Sequence, residues 1–426
     1  MKMLTLKLLI QILEKKKRED KMKTNNFKMA SMLLASFFLT ACDDSPSASD
    51  VKNSLSPSSE TNSSVDNNSI NENTVSSLLE NITKAKSEPY FKYAWHIDSS
   101  KSALNNEGHT LFNNEGYTIN KDADINLIEA WKLSMGEGVK IAVIDDGGEV
   151  EHEDLKTNIL LAYNVDDGGS DKINPNVDEG SHGNTCAGFI VAPINGKGIV
   201  GVAPKAKVLL IRQEENNDEK VIEAFEYAKN NGAKVISCSW GTEDVSEIIV
   251  SELKKMYEAG ITVVFASGND SKTLDTDGLN DESEVEWVIG VGASGEHNDV
   301  TSYSNYGKEI DVLAPGGDML ESSGLIGLDD MGENGQDTQL NLVNNNYAFT
   351  EGTSFSAPIT AGVVALMYGV NPNITPLQVK EILTQTADKV GTEIDADYSN
   401  NNFDLKRAYG KINAGRAIAE AKRANK

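Results

Sequence analysis

Cysteine is scarce in this chain, with three in 426 residues: Cys42, Cys186 and Cys238. That excludes a disulfide-stapled scaffold and leaves stability to a packed core. Cys186 and Cys238 stand in apolar helix-like and strand-like settings and are expected to be buried free thiols rather than a bridge. No His/Cys cluster has the spacing of a zinc site, and His152 reads as a surface turn residue. Positive charge is also short, since 39 Lys and Arg face 65 Asp and Glu. The first 41 residues hold nine Lys/Arg and three Asp/Glu, so the residues after them stand at −32. Phosphate would be repelled, which excludes nucleic acid as a partner. Basic peptides and bound cations suit such a surface, and so does acidity kept for solubility alone. Aromatic residues are absent from 43–84, a stretch dominated by Ser, Asn, Asp and Glu. It cannot bury enough apolar surface to offset its chain entropy, so a disordered tether is expected there.

From Met22 the chain reads as a basic segment, an apolar run to Leu39, and then Thr40-Ala41-Cys42. The apolar run is too short to span a membrane, and the pattern is that of a signal peptide. Leu39-Thr40-Ala41-Cys42 resembles the bacterial lipobox, which implies a lipid-modified Cys42 as first mature residue. A plain cleaved signal is the alternative. Residues 1–21 then read as a spurious upstream extension, 22–41 as the lipoprotein signal, 43–84 as the tether and 85–426 as one catalytic domain. Such a protein is expected in the bacterial cell envelope, held to a membrane by lipid and facing the periplasm or exterior.

Beyond 85, strand-like and helix-like segments alternate with no internal repeat. Strands are expected at 140–144, 207–211, 234–238, 261–266 and 287–292. Helices are expected at 186–192, 218–230, 245–258, 357–368, 376–387 and 414–424. Continuous Val/Ile-rich strands separated by helices indicate an α/β fold, with a mainly parallel central sheet covered on both faces. Functional groups of such sheets gather at the carboxyl ends of the strands. Asp145, Ser239 and Asn269 each follow a strand in that way.

Three motifs carry chemistry. Ser354 lies in Gly352-Thr353-Ser354-Phe355-Ser356-Ala357-Pro358, His182 in Ser181-His182-Gly183-Asn184-Thr185-Cys186-Ala187-Gly188, and Asp145 precedes Asp146-Gly147. A serine hydroxyl becomes a nucleophile only when a base takes its proton and a third group orients that base. Singly, a serine at a helix start is often a cap and an Asp after a strand a turn residue. Together, in the order Asp, His, Ser, they point to a serine endopeptidase.

These motifs, with Ala266-Ser267-Gly268-Asn269, resemble the subtilisin-like serine proteases. Asp145-Asp146-Gly147, His182-Gly183 with Cys186-Ala187-Gly188, Ser239-Trp240-Gly241 before an acidic pair, and Glu88-Pro89 with Trp95 resemble the kexin/furin-type proprotein convertases. The resemblance runs from about residue 85 to 420 and implies the three-layer subtilisin-like fold. It implies that Ser354 attacks, His182 is the base, Asp145 orients it and Asn269 donates to the oxyanion. Ser239, Trp240 and Gly241 would wall the primary pocket and pair with an extended substrate. Asp244 and Asp277 match its acidic lining, which would favour Arg or Lys before the cut. Asp146 would receive a second basic residue, and Glu179 and Glu223 stand at outer acidic subsites. In so acidic a chain each of these is equally a solvated surface charge. Calcium is the implied metal: Glu88, Asp154 and Asn195 match one site, and Asp244 and Asp275 a second. A monomer acting on protein or peptide substrates is expected.

The chain departs from convertases in three respects. The interval after Cys42 reads as tether rather than folded propeptide, the residues after the Ser354 region match no extra β-domain, and Asn305 stands where convertases carry a carboxylate. Residues 317–347, rich in Asp, Asn and Gly, read as an inserted loop. Two rivals remain: a broad-specificity protease, and a surface-binding lipoprotein that keeps the fold and cuts nothing.

Overall fold

Side chains along each central strand alternate between two apolar cores. In β1 (Lys140–Asp145), Ile141 and Val143 face one core and Ala142 and Ile144 the other. The same alternation holds in β3 (Lys207–Arg212), where Val208 and Leu210 oppose Leu209 and Ile211. A strand apolar on both faces belongs inside a covered sheet. The computed structural model describes residues 72–105, 118–174, 181–215, 217–242, 244–274, 281–319, 323–332, 335, 346–392, 396–399 and 401–425.

With β2 (Ile159–Asn164), β4 (Val235–Cys238), β5 (Thr262–Ala266), β6 (Ile289–Ser294) and β7 (Val312–Pro315), these strands form a seven-stranded sheet ordered β2-β3-β1-β4-β5-β6-β7. Every neighbouring pair runs parallel. The direction of winding reverses at β1, the place where open α/β sheets form their ligand crevice. A separate antiparallel hairpin pairs β8 (Leu325–Leu328) with β9 (Tyr347–Thr350).

The helices, in chain order among the described residues, are α1 (Glu72–Ala85), α2 (Leu127–Trp131), α3 (His182–Val191), α4 (Asp218–Asn230), α5 (Glu247–Glu258), α6 (Thr353–Val370), α7 (Pro376–Thr386) and α8 (Ala414–Arg423). Helices α4 and α5 cover one face of the sheet. The others pack into the core on the opposite face. In α4 the buried positions are Val221, Ala224, Phe225 and Ala228, an i, i+3, i+4, i+7 stripe. Its start is capped by Asn217, whose side chain accepts from Glu219 N–H at 2.9 Å. Helix α6 is apolar all round and almost wholly buried. By length and composition it could cross a membrane, yet 83% of it lies inside the domain, which makes it a core helix. Each of its buried Val, Ile and Leu side chains contributes about 1.5–3 kcal/mol.

The three-layer α/β expectation matches what is observed. Residues 72–84 correct the tether. They form most of α1, whose Leu78, Ile82 and Ala85 join the main core. The polar average of 43–84 concealed an apolar stripe with helical spacing at its end. Residues 43–71 lie outside the described residues. The strand expected at 287–292 begins at Ile289; Trp287 before it packs against Tyr257 with ring centroids 5.0 Å apart, beside the core under α4 and α5.

Candidate active site

The carboxyl ends of β1, β4 and β5, adjacent in the sheet, deliver three of the site's segments to one edge. Asp145 closes β1 and is 6% exposed. Its Oδ1 meets His182 Nδ1 at 2.8 Å and accepts the Asp146 N–H at 2.9 Å. Burial favours a neutral His182, but the Asp145 carboxylate and, after it, Cys186 together outweigh burial and hold the imidazole well above its ordinary range. The ring is thereby fixed with its proton on the Asp145 side.

His182 opens α3, whose first N–H groups lack intrahelical acceptors. Ser181 does not cap them with its side chain. Asp146 does: Oδ2 accepts from His182 N–H at 2.9 Å and Oδ1 from Gly183 N–H at 2.7 Å. Burial, and then repulsion from Asp145, raise the Asp146 pKa against those two bonds. Gly183 cannot be larger, since a Cβ there would stand 2.3 Å from Gly147 O and 2.8 Å from Asp145 Cβ.

Ser354 is the second residue of α6. Its carbonyl accepts from Ser239 Oγ at 2.7 Å and from Cys186 Sγ at 3.4 Å, and Cys186 Sγ lies 3.9 Å from His182 Nδ1. The Cys186 thiol thus bridges the Ser354 backbone and the imidazole. The Ser354 hydroxyl turns to Ser239 O at 3.4 Å rather than to His182. At that length the bond is weak.

Asn269 follows β5. Its Oδ1 accepts both Thr353 N–H and Thr353 Oγ1 at 2.9 Å. A backbone N–H needs an acceptor, so the amide orientation is set and Nδ2 is turned to the other side. Nδ2 makes no hydrogen bond among the described residues, and Ser354 N–H, in the first turn of its helix, has no intrahelical acceptor. Two donors are therefore available beside the serine.

A cavity of about 490 Å³ opens next to them, lined by Ser239–Gly241, Gly268, Asn269, Thr353 and Ser354, with Asp270, Lys272 and Asp281 adding charge. Trp240 is pinned by Nε1 to Ile144 O at 2.9 Å. A second cavity, of about 360 Å³, shares Trp240 and Gly241 with the first and is lined also by Asp145, Asp146, Gln213 and Glu214. The arrangement offers an oriented imidazole, a serine, two convergent N–H donors and a slot for a side chain.

A family model described as the subtilase family matches residues 136–411. The chain belongs to the subtilase family. This subtilase is 33% identical over 319 residues to a probable subtilase-type serine protease of Deinococcus radiodurans, covering 70% of this chain and 42% of that relative. It is 30% identical to a thermophilic serine proteinase of a Bacillus species, covering 68% and 64%, and 31% identical to a calcium-dependent protease of a Nostoc species, covering 70% and 48%. The chain thus spans roughly half to two-thirds of those relatives. The solved structure of a Pseudoalteromonas arctica protease superposes with TM-score 0.61 at 25% identity, covering 79% of this chain and 99% of that one. A serine protease of Aeromonas sobria shares the fold at TM-score 0.66 and 20% identity, covering 80% and 68%.

The subtilase brings Asp145, His182, Ser354 and Asn269 to one edge, with Ser239, Trp240 and Gly241 in the wall beside them. Asp146 borders the second cavity, its carboxylate engaged by α3. Asp244 corrects the expected pocket: it is exposed and lines neither cavity. Glu223 receives Tyr163 OH at 2.9 Å, pairs with Lys220 at 3.2 Å and lines neither cavity. Glu179, Asp275, Asp277 and Cys42 lie outside the described residues. Asn305 Oδ1 accepts from Asp270 N–H at 2.9 Å and Lys272 N–H at 3.2 Å, so it ties the loop after Asn269. Cys186 and Cys238 are free and buried. His152 is not the expected surface turn residue: it is fully buried, with Nε2 against Asn346 O at 3.2 Å.

Glu88, Asp154 and Asn195 do come together. Asn195 Nδ2 meets Asp154 Oδ1 at 3.0 Å, and Gly196 N–H donates to Glu88 Oε1 at 2.9 Å. Burial pushes the Asp154 carboxyl up to about 8, with Glu88 repulsion adding to it. Sequence reasoning missed Asp270 and Asp281, the two acids that do line the pocket. The signal of Asp281 was faint, one Asp in the acidic run 281–286.

Proposed function

We propose that this subtilase is a serine endopeptidase working through Asp145, His182 and Ser354. The observation that carries the reading is the 2.8 Å bond from Asp145 to His182 beside a serine whose neighbouring donors, Asn269 Nδ2 and Ser354 N–H, point to no internal acceptor. A turn of the Ser354 side chain from Ser239 O toward the imidazole completes the relay. His182 then takes the hydroxyl proton as Oγ attacks the peptide carbonyl, and Asp145 stabilises the imidazolium. Asn269 Nδ2 and Ser354 N–H hold the developing oxyanion. The imidazolium gives its proton to the leaving amine as the acyl-enzyme forms. Water, activated by the same ring, hydrolyses the acyl-enzyme. A fluorophosphonate probe should label Ser354; an intact, unlabelled protein would sink the reading and favour the surface-binding lipoprotein.

We infer a preference for Arg or Lys before the cut, as in the kexin/furin-type subfamily. Its support is Asp281 in the pocket wall, where Asp244 was expected. Lys272, 3.5 Å from Asp270, lines the same cavity and has its charge offset there. A peptide library varied only at the residue before the cut separates this from broad specificity.

Calcium is inferred for the Glu88 and Asp154 site, and one relative carries the name calcium-dependent protease. The residues fit a hard cation: Asp154 is fully buried, and Glu88 Oε2 is buried without a hydrogen-bond partner. Asn195 offers Nδ2 to Asp154, an orientation its side chain would reverse to supply an oxygen. Bound there, calcium would neutralise two buried carboxylates and join the 88, 154 and 195 segments. We further propose lipid attachment at Cys42 and an envelope location for a monomer, resting on Leu39-Thr40-Ala41-Cys42.

A further inference from the structure

Glu282 is 1% exposed and stands next to the main cavity without lining it. Its carboxylate makes two bonds to one residue: Oε2 accepts Thr242 N–H at 3.0 Å and Oε1 accepts Thr242 Oγ1 at 2.8 Å. Thr242 directly follows Ser239-Trp240-Gly241, which forms one wall of the pocket. Asp281, the residue before Glu282, lines the same cavity. The two segments already touch there, since a Cβ on Gly241 would be 2.1 Å from Asp281 Oδ2. Asp281 is itself fixed by a reciprocal cap, accepting Ser283 N–H at 2.9 Å while its own N–H donates to Glu284 at 3.1 Å. One short turn, Glu282–Glu284 with its cap, therefore supplies both an acid in the slot and the clamp on the Ser239–Gly241 wall.

Burying a carboxylate is costly unless its oxygens are satisfied. Burial raises the Glu282 pKa while the Thr242 hydroxyl opposes it. A plain structural tie needs no charge. A carboxylate that takes a backbone N–H and a hydroxyl from the same residue fixes both the position and the orientation of that backbone, at the point where an extended substrate would pair.

We propose that Glu282 is a positioning residue that sets the width of the primary specificity pocket by holding Gly241 and Thr242 against Asp281. This rests on the reading that the slot beside Ser354 receives the residue before the cut. The test uses the full chain and fluorogenic peptides that differ only at that residue, with active sites counted by fluorophosphonate labelling. Glu282→Ala should raise KM for the wild type's preferred residue about tenfold, with a smaller change in kcat. It should also shrink the kcat/KM ratio between preferred and second residue about tenfold. Glu282→Gln, still able to accept the Thr242 N–H, should restore most of that ratio. Unchanged selectivity in Glu282→Ala, or a loss confined to kcat, overturns the proposal. If Glu282→Ala does not fold, Thr242→Val removes only the hydroxyl half of the clamp: a several-fold loss of selectivity supports the role, and wild-type selectivity overturns it. A wild type that prefers apolar residues would defeat the basic reading and leave this comparison intact.

Discussion

Pro358 stands four residues after Ser354 in α6, and its missing N–H leaves the Ser354 carbonyl without the usual helical donor. Ser239 Oγ at 2.7 Å and Cys186 Sγ at 3.4 Å take that place. A helix defect thus becomes a tie between Ser354, the pocket wall and the imidazole's neighbour. Ser239→Ala should lower kcat by roughly two- to tenfold, the worth of one hydrogen bond of about 0.5–1.5 kcal/mol. Single-turnover kinetics would read this, and an unchanged rate would show the tie to be idle.

Asn269 should act on the transition state more than on the substrate. Asn269→Leu is expected to reduce kcat by about 10²–10³ with KM little altered, the magnitude known from subtilisin itself. A change carried by KM would place the residue in binding instead.

The Asp145–His182 pair makes activity depend on pH in one direction. The folded ring holds its proton more tightly than the unfolded ring, so the pair adds stability below pH ~6.5 and loses it as pH rises through the folded value. Catalysis needs the neutral ring, which puts the acid limb of kcat/KM above pH ~6.5. In Ser354→Ala protein the His182 resonance should titrate there, and Asp145→Asn should move it down.

The architecture could be read because parallel, doubly covered strands are continuous apolar runs: 140–144 and the helix at 218–230 stand out without neighbours. Strand β2 did not, since four of its six residues are only partly buried and a fifth is exposed. Helix α1 escaped because composition was averaged across a longer polar stretch. Asp145, His182, Ser354 and Asn269 could be found because each sits in a run whose glycines and small residues are demanded by close packing. Asp281 and Glu282 could not, because an acid that shapes a pocket and an acid on the surface look alike until the chain is folded.

Removing calcium should soften the molecule. Chelation is expected to lower Tm by several degrees, since a ligand at 100 times its Kd contributes about 2.7 kcal/mol. Asp154→Asn should be insensitive to chelator. Equal melting curves with and without metal would argue against the Glu88 and Asp154 site.

Gly183→Ala should displace α3, because the new methyl meets Gly147 O at 2.3 Å and Asp145 Cβ at 2.8 Å. Overpacking of this kind costs about 1–3 kcal/mol. Activity should fall more steeply than Tm, as both ends of the Asp145–His182 bond move. Parallel melting and kinetic measurements would separate the two effects.

Ser354 rides on a helix almost wholly enclosed by the domain, so the helix that carries it cannot come loose by itself. Heating will therefore erase activity and fold at one common rate, and the useful lifetime of a preparation will be the lifetime of its innermost layer.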